Sequence, residues 1–289
     1  MPDLLQVMLP ALVAALILVG IHGYLGIHII ARGVIFVDLA LAQAAAVGWA
    51  AGQLGLAHWV ASRTGLPEAA AGYAMGFSGT LVAAGLISLS RMEHTRVPQE
   101  AIIGIVFVVS SAVTILFASQ RAGGAEHVQD LLTGSLLWTT WPTIIKTTLL
   151  YGALGVVHWF LRDRFFTISL TPAEANARGW NIAWWDFVFY ALFGLVVTSS
   201  VAIAGVLVVF TFLVIPAVIA FLFTEEPRVL LTLAWSIGTL ATLLGMLASY
   251  LGDLPTGPLV VCSFALVLMA AFAVRGVMRR LASPPPKEA

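Results

Sequence analysis

The sequence predicts an all-α integral membrane protein, a polytopic bundle of about eight to nine transmembrane helices, and three observations carry that prediction. First, 60% of its 289 residues are hydrophobic and only 10% are charged, with a mean hydropathy of +1.00. A soluble domain carries about 25% charged residues, so this chain has too little charge to cover a water-facing surface, and lipid must be its main solvent. Second, the apolar residues fall into runs of about 20, the length a helix needs to cross a bilayer. Third, the arginines sit between those runs in an alternating pattern that assigns each connection to one side.

The runs read 4–30, 34–56, 69–90, 101–119, 143–161, 184–203, 205–223, 228–250 and 257–278. Met1 to Gln6 lack the basic start of a cleavable signal, and the apolar run that follows reaches Ile30, too long for a signal core, so it reads as a retained first span. Polarity hardly rises at Ala204–Gly205, the least marked of the boundaries. The semi-polar stretch 127–141 suits a short or re-entrant helix. Residues 1–282 are expected to form one transmembrane domain, and 283–289 a polar tail expected to be disordered. Arg32, the cluster Arg91/His94/Arg96, Arg162/Arg164/Arg178, Arg228 and Arg275/Arg279/Arg280 all fall on one side if there are nine spans, leaving Arg63 and Arg121 on the other. By the positive-inside rule that side is cytoplasmic and holds the C-terminus.

Other classes are excluded on composition. The formal net charge is zero, which gives no basis for nucleic acid as a partner. A single cysteine, Cys262, rules out an internal disulfide and a thiolate cluster; within an apolar run it reads as a small buried hydrophobe. No Gly-x-x-x-x-Gly-Lys-Ser/Thr loop is present to cradle nucleotide phosphates.

Within the spans, Ala40, Ala44, Gly48 and Gly52 recur every four residues, a small-residue stripe that admits close approach of another helix. Pro216 removes a backbone donor from the seventh run and is expected to bend it. Both suit ordinary packing or a helix set that moves. Between the fifth and sixth runs, Thr171–Pro–Ala–Glu–Ala–Asn–Ala–Arg–Gly179 specifies a free-standing helix of about two turns. Thr171 is an N-cap, Pro172 the first helical residue, and Glu174 completes a capping box; Ala175 and Ala177 make it small-faced, Arg178 suits the negative end of its dipole, and Gly179 stops it. With no large apolar stripe to hold it in lipid, this helix is expected to dock on a protein partner.

These features resemble the permease subunits of the zinc/manganese/iron ABC importer family, from about Gly20 to Gly276. The resemblance rests on Gly26–Ile–His–Ile–Ile–Ala–Arg–Gly33, Asp38–Leu–Ala–Leu–Ala–Gln–Ala–Ala–Ala–Val–Gly48, Gln99–Glu–Ala–Ile–Ile–Gly–Ile–Val–Phe107 and Leu131–Leu–Thr–Gly–Ser–Leu–Leu137. Ala173–Glu–Ala–Asn–Ala–Arg–Gly–Trp–Asn181, Gly205–Val–Leu–Val–Val–Phe–Thr–Phe–Leu–Val–Ile–Pro–Ala217 and Asp253–Leu–Pro–Thr–Gly–Pro258 complete the order. The resemblance implies a type II importer-like bundle in the bacterial inner membrane and a homodimer. It further implies an ABC ATPase seated on a coupling helix at 172–178, and a periplasmic metal-binding protein that delivers a divalent zinc, manganese or iron ion as cargo. No permanently bound cofactor and no covalent chemistry are implied for this subunit; ATP is used by its partner.

An ionisable group inside a span costs about 2.5–3.5 kcal/mol at the helix centre, so each is a candidate for the metal pathway. The candidates are Asp38, Gln43, His22, His28, Glu100 and His158. The family motif on the second span is Asp-x-x-x-His; here Gln43 stands at the histidine position and Leu39 at the aspartate position, with Asp38 one residue earlier. Asp38 and Gln43 are about 140° apart on a regular helix and cannot both face one ion. Glu100 follows Pro98 at a helix start, where the dipole favours a carboxylate, or it gates the path. Glu126, His127 and Asp130 are either a solvated loop or a capture site on the outer side, His127 and Asp130 sharing a face. Two rival functions fit parts of the sequence. One is an ion-gradient-driven secondary transporter hinged at Pro216. The other is an intramembrane serine protease using Gly76–Phe–Ser78–Gly79 with His158 as base.

Overall fold

The computed structural model describes residues 4–91, 97–120, 134 and 136–282. Among these, nine helices are long and apolar enough to cross a membrane. In chain order the helices are α1 (Leu4–Arg32), α2 (Val37–Ala51), α3 (Ala57–Thr64), α4 (Glu68–Leu89), α5 (Gln99–Ala118) and α6 (Trp141–Leu170). They continue as α7 (Pro172–Ala177), α8 (Ile182–Ala204), α9 (Val206–Phe223), α10 (Pro227–Gly252) and α11 (Thr256–Ala282). Helix is the form that satisfies every backbone polar group without water, which is why each apolar run adopts it.

The breaks have local causes. The boundary that polarity barely marks lies at Gly205, whose φ of 78° and ψ of 159° end α8 and start α9 within one residue. A side chain would resist that conformation, so a single glycine turns two spans back on each other. Gly134 lies directly against the Ala204–Gly205 backbone. Of the 127–141 stretch, the described part holds a single 3₁₀ turn, Leu136–Trp138. The α10–α11 turn is closed by Asp253 at φ 48° and by Ser249, whose hydroxyl donates to the Leu254 carbonyl at 2.7 Å. Aspartate tolerates the left-handed region better than most side chains.

The core lies where α1, α8 and α9 meet, the three most enclosed spans, and α5 and α11 are the least enclosed. Phe165, Phe189, Tyr190, Phe193, Phe212 and Phe264 fill the core and are fully buried. Around it, α1 packs on α6, α9 and α10, while α4 bridges α2 and α8.

Three expectations are revised. The second span does not end at residue 56: after α2 the helix widens into a π turn at Gly52–Leu56, where Gly55 has φ 107°, and resumes as α3 to Thr64. The fifth span runs on to Leu170, so Arg162 and Arg164 stand on a helix that leaves the apolar layer and not in a loop. Cys262 is exposed, on the outer face of α11. An apolar neighbourhood in the sequence does not distinguish a protein core from a lipid-facing surface, because in a bilayer both are apolar.

Pro216 lies inside α9, which continues without a break; its ring packs beside Gly238 of α10. The small-residue stripe of α2 has a definite partner. A side chain on Gly48 would collide with the Met75 carbonyl of α4, and one on Gly79 of α4 would collide with the Ala44 carbonyl of α2. The two helices therefore touch backbone to backbone, and the stripe belongs to the α2–α4 interface.

Candidate functional site

At the arginine-rich end of the bundle, α7 stands in the loop between α6 and α8. All its residues are exposed except Ala175. Its C-terminus closes as a Schellman motif: Gly179 N–H donates to the Asn176 carbonyl at 2.9 Å and Trp180 N–H to the Ala175 carbonyl at 3.1 Å. Gly179 adopts φ 70° to allow this. The N-terminus differs from the expected capping box. The Thr171 hydroxyl donates to the Thr167 carbonyl and to Glu174 Oε2, both at 3.2 Å, and makes no bond to a backbone N–H of α7. The reason is that α6 reaches Leu170, so Thr171 is held by the last turn of the preceding helix. Glu174 pairs instead with Arg178, one turn along.

Beneath this loop lies an ion-pair network that the sequence reading passed over. Asp186, in the first turns of α8, is fully buried. Its Oδ1 accepts from Arg32 Nη1 at 2.6 Å, and its Oδ2 accepts from Arg91 Nη1 at 2.7 Å. Arg32 is the last residue of α1, and Arg91 follows the end of α4. Arg32 Nε donates to Ser169 Oγ at 2.8 Å, Arg91 Nη2 reaches the Ile168 carbonyl at 3.5 Å, and Ser169 Oγ also meets His28 Nδ1 at 2.9 Å. The Arg32 guanidinium lies 4.0 Å over the Phe189 ring. Asp186 falls inside the predicted sixth span, so the rule that singled out Asp38 identifies it too. In the sequence, Arg32 and Arg91 mark only the orientation of the spans; the structure gives both a buried partner.

Next to this network, Tyr24 and His28 of α1 and His158 of α6 form an aromatic cluster. Tyr24 lies 4.8 Å from His28 and 5.3 Å from His158, centroid to centroid, with Phe165, Phe166 and Phe189 around them. Tyr24 Oη, His28 Nε2 and both His158 nitrogens are buried without a hydrogen-bond partner. His22 is separate: its Nδ1 lies 2.8 Å from the Leu18 carbonyl and its Nε2 lies 3.2 Å from Ser200 Oγ, so it serves as a hydrogen-bonded core residue between α1 and α8.

The second-span candidates are divided between two faces. Asp38 sits in the first turn of α2, 2% exposed, with its Oδ1 accepting from Leu39 N–H at 2.8 Å. It therefore lies at the arginine-rich end, not deep in the span. Gln43 is half-buried and shares the more open face of α2 with Leu39, Ala46, Val47 and Ala50. The separation of about 140° is thus realised as a buried carboxylate and an accessible amide. Glu100 Oε1 accepts from Phe36 N–H at 3.0 Å, which ties the start of α5 to the α1–α2 turn, while its Oε2 is buried without a partner. Among the described residues, no three His, Cys, Asp or Glu side chains converge as a metal centre. Glu126, His127 and Asp130 lie outside the described residues.

The protease motif has another explanation. Gly76 and Gly79 face α2 at the close contact, whereas the Ser78 hydroxyl points away and donates to the Met75 carbonyl at 2.7 Å. His158 is buried among the rings described above and hydrogen-bonds to nothing, so the two do not form a dyad.

Nine apolar helices among the described residues, a backbone-tight helix pair and a short helix standing free of the bundle define a multi-pass, all-α membrane protein. The chain belongs to the ABC 3 transport family, which it matches over residues 4–275. It is 26% identical over 219 residues to the "Manganese transport system membrane protein MntC" of Listeria innocua, covering 72% of this chain and 76% of that one. It is 25% identical over 261 residues to the "Chelated iron transport system membrane protein YfeD" of Yersinia pestis, covering 90% and 83%. Its fold is shared with a chain of "PsaBC from Streptococcus pneumoniae in complex with Fab", with a TM-score of 0.73 at 20% identity and 93% of each chain covered.

Proposed function

We propose that this chain is the membrane-spanning subunit of an ATP-driven importer of a divalent metal ion, working by alternating access in the inner membrane with its C-terminus in the cytoplasm. The observation that carries the reading is the Pro172–Ala177 helix, capped, exposed and standing at the arginine-rich end of a chain that matches this transport family almost throughout. An ABC ATPase docks on that helix and supplies the hydrolysis. A second copy of the chain completes the pore, and a periplasmic metal-binding protein delivers the ion. The cargo is manganese or iron, the ions named for the relatives above, with zinc the third candidate from the family resemblance. The open face of α2 bearing Gln43 lines the path, and Asp38 and Glu100 flank its cytoplasmic end. An amide is a weaker ligand than imidazole for first-row metals, which suits passage more than retention.

The deciding experiment compares whole-cell metal content by mass spectrometry between a deletion strain and its complemented parent under chelator limitation. A selective fall in one of the three metals supports the reading and names the ion; no change in any of them would remove metal as the substrate. Uptake that persists without any ATPase would instead favour the gradient-driven transporter.

Two variants test the parts. Gly179→Val forces a β-branched residue to φ 70°, at a strain of roughly 1–2 kcal/mol, and removes the Schellman closure. The expected result is loss of the ATPase from the purified complex while the permease still extracts as a folded, monodisperse protein. Gln43→Leu is expected to reduce metal uptake strongly while the ATPase remains bound and active. Unchanged uptake would place the path elsewhere.

A further inference from the structure

We infer that Arg32 and Arg91, acting through Asp186, Ser169 and the Ile168 carbonyl, form a clamp that makes α7 and the ends of α1 and α4 move as one unit. They are positioning residues for transport. The inference rests on the reading of α7 as the ATPase contact.

The argument begins with how little holds α7. It has six residues, of which only Ala175 is buried. A helix this short cannot carry a push into the membrane unless its two roots are rigid. Those roots are the last turn of α6, with Ile168 and Ser169, and the first turns of α8, with Asp186; all three residues are buried. Each arginine bridges both roots. Arg32 holds Ser169 on one side and Asp186 on the other, and Arg91 holds the Ile168 carbonyl and Asp186. Arg164 of α6 adds a third link between the roots, lying 4.3 Å over the Trp185 ring of α8.

Stability alone is a poor reason for such a network. Burying charges costs nearly as much as their attraction returns, and well-packed apolar side chains would often serve as well. What an ion pair supplies and apolar packing does not is register. A carboxylate offers two oxygens in a fixed plane, and here one takes the guanidinium at the end of α1 and the other the guanidinium just beyond α4. The route onward is also built. Arg91 follows α4, α4 touches α2 backbone to backbone at Gly48 and Gly79, and α2 carries Gln43. Displacement of α7 is thereby passed through Asp186 and Arg91 to the end of α4, and from α4 to the open face of α2.

The test uses the complete complex, this chain with its co-purifying ATPase in proteoliposomes, and reads manganese or iron taken up per ATP hydrolysed. Arg91→Lys keeps the charge but replaces the planar fork, whose two nitrogens reach Asp186 and the Ile168 carbonyl separately, with a single nitrogen. Ser169→Ala removes one bridge only, and Asp186→Asn removes the charge. The expected result is near-normal hydrolysis with a ratio of ions to ATP reduced about five-fold in Arg91→Lys and more in Asp186→Asn. A purely structural defect would lower uptake and hydrolysis together and leave the ratio unchanged. An unchanged ratio in Arg91→Lys and Ser169→Ala would overturn the clamp, whether or not Asp186→Asn assembles. Absence of ATP-driven uptake in the wild type would overturn the functional reading itself, and the clamp's role with it.

Discussion

Replacing Asp186 by Ala is expected to destabilise the folded chain by about 3–5 kcal/mol, the largest stability loss of any single substitution considered, because it strands buried guanidinium charge. In the wild type the Arg32 side chain is 1% exposed and meets the Asp186 carboxylate at 2.6 Å, while the Arg91 side chain is 22% exposed and meets the other oxygen. Removing the carboxylate leaves Arg32 with no counter-charge beside Ser169, in a pocket lined by Phe189 and Tyr190. Arg91 has a route to water and suffers less. Detergent-solubilised protein should show a marked fall in thermal midpoint and increased cleavage at the arginine-rich end. The double variant Arg32→Leu/Asp186→Leu removes both buried charges and should recover part of the lost stability without recovering coupling. Stability of Asp186→Ala equal to the wild type would mean that the network is hydrated and contributes little.

Gly48→Leu is expected to abolish uptake while the ATPase still co-purifies. A Cβ at this position would collide with the Met75 carbonyl, a backbone atom that cannot rotate away, so α2 and α4 must separate by on the order of an ångström even for alanine. Overpacking a well-filled interface costs about 1–3 kcal/mol, and a leucine facing main chain sits at the upper end. If α7 is the ATPase contact, as proposed, that contact is preserved, because α7, its Schellman closure and Asp186 lie on other elements. The graded series Gly48→Ala, Gly48→Leu should lower uptake progressively. Normal uptake by the leucine variant would show that α2 and α4 need not approach closely for transport.

The fold was largely legible because membrane topology depends on local quantities. Run length, turn residues and arginine placement are each read over a few residues, so about eight to nine spans and the α7 loop could be placed before any packing was known, and the structure fixed the count at nine among the described residues. Thr171 shows where local reading stops. Its side chain fits an N-cap pattern, yet in the structure it binds the carbonyl end of α6, because both helices compete for the same hydroxyl. Cys262 and the protease motif show a second limit. An apolar or small residue has the same local signature facing lipid, facing the core or facing another backbone, and only the arrangement of neighbours tells these apart.

The candidate site was legible in part. The angle between Asp38 and Gln43 follows from helical geometry, and the structure places the first in a buried turn and the second on an accessible face. Which histidine belongs to which cluster did not follow. His22 pairs with Ser200, 178 positions away, and His28 with Ser169, 141 positions away. No periodicity connects such residues.

The sequence by itself determined the solvent of this protein, a count of about eight to nine spans with their approximate positions, and the short free-standing helix between the fifth and sixth of them. Hydrophobicity, propensity and capping act along the chain, so they are written in consecutive residues. Tertiary structure alone decided that Arg32, Arg91 and Asp186 meet, that Gly48 and Gly79 join α2 to α4, and that Tyr24, His28 and His158 share one buried cluster. Each of those contacts joins helices distant in the chain. In lipid, where apolar burial does not distinguish one helix pairing from another, shape and buried polar groups select the partners.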